Sequence, residues 1–154
     1  TMPTETEVLV ENFYRSPFKF AFARKLRDHG PAVCPYLEAA LREATLDAAT
    51  LRLAASVLLH FGSPLGAPHL LADLTETGDA PFSALQLANA GIAEARQPIA
   101  RLLAGDVMHR LPNEAFVLID AHQKFGPLEA ELQQHLRSLC PDKLRADLER
   151  VLAS

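Results

Sequence analysis

Six histidines, two cysteines, one carboxylate in an apolar run and one basic cluster are the residues with which this chain could do chemistry. His29, His60 and His122 fall near the ends of predicted helices, and His69, His109 and His135 lie elsewhere. No pair of them shows the i, i+4 spacing with a carboxylate that a zinc-binding helix needs, so they read as capping and surface residues and no metal is expected. Asp120 sits inside VLIDAH. A buried carboxylate needs a partner, so Asp120 is expected to be buried and to pair with an arginine or cap a neighbouring helix. His122, two residues on, faces another side of the helix, and the two form no dyad. Cys34 lies near a predicted helix N-terminus, a position that can lower a thiol pKa. Neither it nor Cys140 sits in a nucleophile signature, and both are expected as packed, free thiols. Arg15, Lys19, Arg24, Lys25 and Arg27 form the basic cluster, with Phe18 and Phe22 on the adjoining face. It reads either as a phosphate- or acid-binding patch or, as is usual for a basic outer helix face, as solvated surface. None of these sets defines a catalytic residue or a cofactor site.

Composition bounds what must hold such residues. A chain of 154 residues is long enough for one domain with a core, and 49% apolar with 22% charged residues is ordinary for a globular protein. Alanine and leucine dominate and tryptophan is absent, which favours helices over a β-sandwich. A formal charge of −4 argues against a default binder of nucleic acid or anionic membrane. The segment TMPTETE is acidic and is no signal peptide, and Thr1 ahead of Met2 reads as an addition to a native start at Met2. No window of 18 uninterrupted apolar residues spans a membrane, and the expected location is the cytoplasm.

Caps and breakers then divide the chain. Thr4 is the expected N-cap of a short helix over 4–14, ended by Ser16-Pro17. Helices are expected over 18–29, with Phe18, Phe22, Leu26 and Ala23 inward, and over 31–44, with Val33, Leu37, Ala40 and Leu41 inward and Pro35 in the first turn. A third helix begins near Leu46, Asp47 or Thr50 and buries Leu51, Ala54, Ala55, Leu58 and Leu59. Its partner carries Leu65, Leu70 and Leu71, with Pro68 kinking or restarting it. Thr77 to Pro81 reads as a loop. Beyond it come 81–95, then a short helix stopped by Gly105, then a helix capped by Asn113 over 114–125 and another over 127–139. The final helix, opened by Pro141-Asp142, has Leu144, Leu148, Val151 and Leu152 on one face and charges on the other.

The turns repeat. Gly30, Gly62 and Gly126 stand 32 and 64 residues apart, with Glu94 at the missing step, a spacing that signals stacked helix pairs. Four residues before each turn position stand Leu26, Leu58, Ala90 and His122, and seven before stand Ala23, Ala55, Leu87 and Ile119. LRLAASVLLHFGSPLGAPHLLADLTETGD, with Ala54 and Ala55, Gly62, Leu70 and Leu71, resembles a HEAT-type repeat, in particular the short bacterial kind of HEAT-like, phycobilin-lyase-like proteins. The likeness runs over about residues 17–140. The resemblance implies an all-α, αα-superhelix (a HEAT/armadillo-like solenoid) of about four helix pairs, 17–45, 46–79, 80–111 and 112–140, between an N-terminal cap at 1–16 and a capping helix at 141–154. It also implies binding of a partner along the concave face formed by second helices. On that face the expected partner-binding residues are Tyr36, Glu38, Arg42, His69, Asp73, Arg101, Glu131, Gln134 and Arg137. Their mixed charge suits a protein partner. The expected function is therefore a non-enzymatic interaction module or scaffold. The alternatives are a bilin-lyase-like chaperone, a HEAT-like nucleic-acid backbone binder, and an accessory domain of a larger enzyme.

Overall fold

The computed structural model describes residues 2–75 and 80–154. Among them the chain is all-α, with eleven α-helices, three short 3-10 turns and no strand. Its residues form two compact units, Thr1–Leu70 and Leu71–Ser154. No helix among the described residues is long and apolar enough to cross a membrane.

In the first unit α1 (Glu5–Arg15) starts on the Thr4 hydroxyl, which accepts from Glu7 N at 3.1 Å. Its carbonyl end is closed from the next helix, where the Lys19 ammonium donates to the carbonyls of Phe13, at 2.8 Å, and Tyr14. Ser16 accepts from Phe18 N at 2.9 Å and turns the chain into α2 (Lys19–His29). A 3-10 turn (Pro31–Val33) leads into α3 (Cys34–Glu43), which carries Pro35 in its first turn, where no intrahelical N–H is lost. Asp47 caps α4 (Ala48–His60), accepting from Thr50 N at 2.8 Å and from the Thr50 hydroxyl at 3.0 Å. Helix α4 is buried from Thr50 to Leu58 on nearly every side except at Arg52, and α2 and α3 both pack on it. The inward stripe of α2 is narrower than its sequence suggests. Ala23 and Leu26 are buried, but Phe18 is 72% exposed because it precedes the helix as its N-cap.

Helix α5 (Gly66–Asp73) crosses the boundary between the units, with Pro68 inside its first turn. Gly66 is required by close approach: a Cβ there would lie 2.7 Å from both Ala55 O and Leu59 N of α4. Of the loop expected at 77–81, residues 77–79 lie outside the described residues. Ala80 and Pro81 open α6 (Ala80–Asn89) instead, since proline suits a first helical turn.

The second unit is built on α9 (Pro112–Gln123), against which pack α6 (Ala80–Asn89), α7 (Arg96–Ala104), the one-turn α8 (Val107–Arg110) and α11 (Arg145–Leu152). Pro112 itself is the first residue of α9, so Asn113 lies inside the helix rather than capping it. Helix α10 (Ala130–Leu139) packs on α7, and it starts later than expected because Glu129 is still extended. Gln123 Nε2 donates to the Val151 carbonyl at 2.7 Å and ties α11 to α9.

The glycine step that the sequence places at Glu94 is present three residues earlier. Gly91 has φ +73 beside Gly62 at φ +79, and both close the same Schellman pair of bonds. Gly62 N donates to Leu59 O and Ser63 N to Leu58 O, while Gly91 N donates to Ala88 O and Ile92 N to Leu87 O. The turn comes early because α6 is three residues shorter than α4.

Candidate functional site

The face of α7 determines what the second unit can bind. At about 100° per residue, positions 96, 97, 100, 101 and 104 fall within an arc of about 140°. The two arginines stand at its edges and Ala100 and Ala104 in between. Small residues in the middle leave space, and α10 supplies the facing wall. The result is an open groove of about 680 Å³ lined by Arg96, Gln97, Ala100, Arg101 and Ala104 from α7, His122 from α9, and Glu129, Glu131, Leu132 and His135 from α10 and its approach.

The charges in this groove are not used up by the fold. Arg96, Arg101, Glu129 and Glu131 are exposed, and none forms an ion pair among the described residues. The Arg96 guanidinium lies over the turn at Gly126, 3.8 Å from where a Cβ would stand. His135 Nε2 donates to the Gly105 carbonyl at 2.6 Å, which joins α10 to the end of α7. At the floor, His122 is only 4% exposed and its Nδ1 has no hydrogen-bond partner. Burial pushes its imidazole below the ordinary value and Arg96 adds to this, while the backbone of Gly126, the Glu129 carboxylate and the backbone of His122 itself oppose.

His122 and Asp120 exchange the roles expected of them. Asp120 is exposed, with no buried partner. Of the five buried positions of α9, Ala115, Leu118, Ile119 and His122 follow i, i+3, i+4, i+7, and Ala121 lies beside that stripe. Two residues correspond to about 200° of helix, so a buried His122 puts Asp120 on the opposite side. That stripe was present in the sequence; the apolar letters around Asp120 hid it.

Of the nine residues expected on a binding face, the structure brings Arg101 and Glu131 together in this groove. In the same unit Arg137 is held by Glu149 of α11, at 2.5 and 3.1 Å, and donates to Gln134 at 3.3 Å. Asp73 accepts from Ser83 Oγ at 2.7 Å. In the first unit, Tyr36 and Glu38 lie on opposite sides of α3. The Tyr36 hydroxyl donates to Glu7 at 3.4 Å, and Glu38 accepts from Ser63 Oγ at 2.7 Å. Arg42 is exposed on the Glu38 side and His69 is half-buried on α5.

Four of the five residues of the basic cluster have partners within the fold, and Arg24 is exposed. Arg15 pairs with Glu11 at 2.7 Å, Lys19 caps α1, Lys25 lies 4.6 Å from the Phe22 ring centre, and Arg27 donates to Ser56 at 2.7 Å. The thiols are both free. Burial raises the pKa of Cys34, and Glu38 raises it further, opposite to the direction expected at a helix N-terminus. Burial likewise raises Cys140. Among the described residues no group of three or more His, Cys, Asp or Glu side chains comes together to hold a metal ion.

No protein-family model, curated protein or solved structure matches the chain.

Proposed function

We propose that the protein is a non-enzymatic interaction module that grips a segment of a partner protein in the groove between α7 and α10, with its helix pairs stacked as an αα-superhelix of the HEAT/armadillo kind. One observation carries the reading: two arginines and two glutamates line one groove with no ion pair among them. Exposed charges left unpaired in a concavity suit a partner that brings charges of its own, and arginine is a frequent anchor in such contacts. The recurrence of left-handed glycines at 30, 62, 91 and 126 supports the stacked arrangement. A bilin-binding role is less well supported, since Leu132 is the one large apolar side chain among the lining residues.

The test is affinity capture from a lysate of the source organism on immobilised wild-type protein and on Arg101→Glu. The expected result is a protein retained by the wild type at moderate salt and lost from the variant, with helicity unchanged. Equal capture by both, or release of nucleic acid alone at low salt, overturns the reading.

A further inference from the structure

Position 122 departs from the pattern of the chain's own turns. Four residues before the left-handed glycines stand Leu26, Leu58, Leu87 and His122, and seven before stand Ala23, Ala55, Ala84 and Ile119; all eight are buried. Leucine fills the first position three times. At the fourth the chain carries an imidazole whose Nδ1 is stranded without a partner. Because an unpartnered buried ring nitrogen costs stability that an aliphatic side chain does not, burial alone does not call for an imidazole. Its place does: the ring lies at the floor of the groove, next to an arginine held over the Gly126 turn.

We propose that the corner formed by Arg96, His122 and the Gly126 turn is a carboxylate-binding site that takes an acidic side chain of the partner segment. This rests on the α7–α10 groove being the binding face. A guanidinium matches a carboxylate with two parallel hydrogen bonds. Glu129 and Glu131 in the lining disfavour a phosphate dianion, which concentrates two charges in the corner, more than a carboxylate group, which places one there. Ala100 and Ala104 leave room for the side chain to reach the floor.

Such binding takes up protons. The charged groups facing the ring are Arg96 from α7 and Glu129 ahead of α10. Helix α6 carries no titratable residue. On α8, Arg110 pairs with Asp106 and His109 is exposed; on α11, Arg150 pairs with Asp147 and Glu149 with Arg137. His135 of α10 is engaged with the Gly105 carbonyl. A carboxylate seated on Arg96 offsets the repulsion from that cation and adds its own attraction, so the imidazole holds a proton more tightly in the complex. Affinity therefore rises several-fold as pH falls from 7.5 to 6.0.

Calorimetric titration of the full chain tests this with three probes: an N-acetylated, C-amidated peptide of six glutamates, succinate, and inorganic phosphate. Each is measured at both pH values on wild type, Arg96→Gln and His122→Leu. The expected result is saturable carboxylate binding that tightens several-fold at pH 6.0, is lost in Arg96→Gln at both pH values, and is weaker and no longer pH-dependent in His122→Leu. The last variant carries the residue of the other three turns and is expected to keep the helical circular dichroism of the wild type, which is checked before titration. In the wild type, the His122 ring resonances titrate at higher pH when the probe is bound. Peptide binding without succinate binding assigns the carboxylate to a polypeptide. Succinate binding alone keeps the site and removes the protein-partner reading. The inference is overturned by the absence of carboxylate binding at millimolar concentration, by binding that survives Arg96→Gln, by phosphate binding tighter than either carboxylate, or by a pH dependence that persists in His122→Leu. If a lysate protein is still captured through Arg101 while no carboxylate probe binds, the groove keeps its function and only this assignment falls.

Discussion

A buried imidazole with a stranded nitrogen leaves a mark on folding as well as on binding. The folded value of His122 lies below its unfolded value of about 6.5. On acidification the unfolded chain takes up this proton first. Stability is therefore full above about pH 6.5 and declines as pH falls below it. Urea denaturation between pH 5 and 8 is expected to show this slope in the wild type and a shallower one in His122→Leu. At neutral pH the same substitution is expected to stabilise by about 1–2 kcal/mol, because it removes an unsatisfied buried polar atom and adds apolar contact. Asp120→Ala is the complement: an exposed carboxylate without a buried partner is expected to shift stability by less than about 0.5 kcal/mol. A loss of several kcal/mol at Asp120 would contradict its outward placement. Sequence reasoning inverted these two residues because it weighed the letters beside Asp120. The helical phase of Ala115, Leu118 and Ile119 was the better guide.

Elements were legible wherever a local group satisfies the backbone. Thr4, Ser16 and Asp47 each accept the N–H bonds that their residue types suggest, and Pro35 sits in a first turn. Features that depend on another element were not legible. The close approach at Gly66 needs α4 in place before it shows, and the early turn at Gly91 was concealed by a fixed repeat length. Phe18 looked like the start of an apolar stripe and is instead an exposed cap, since Ser16 sets the helix start after it. Two substitutions probe this scale by thermal or urea melting. Gly66→Ala forces a methyl group against α4 backbone that cannot give way like a flexible side chain, and a loss of about 1–3 kcal/mol is expected. Ala44 ends α3 with φ +53, a left-handed conformation that glycine adopts without strain, so Ala44→Gly is expected to stabilise by about 0.5–1 kcal/mol.

At the scale of the molecule, the all-α class followed from composition and helical period, while the groove did not. Arg101 and Glu131 were expected on a binding face, but Arg96, Glu129 and His122 enter it from a helix start, a loop and a buried stripe, which no spacing rule connects. The groove belongs to one unit, Leu71–Ser154, whose core includes Ala84, Leu87, Ile99, Leu118, Ile119, Leu136 and Leu148. A fragment of residues 71–154 is accordingly expected to unfold cooperatively by circular dichroism and to retain capture of the partner. A fragment that is helical but does not capture would move the binding face away from this groove.

The recurrence of leucine before the turns has a consequence for redesign. Replacing residues by the commonest one at equivalent positions is an established way to raise stability, and applied to the four turns that end in a positive-φ glycine it writes leucine at position 122. It would also move the Gly91 turn to the common spacing and so change where α7 begins. The averaged chain is expected to melt higher but to lose both irregularities that shape the groove, so variants made for stability should keep position 122 and the length of α6 as they are.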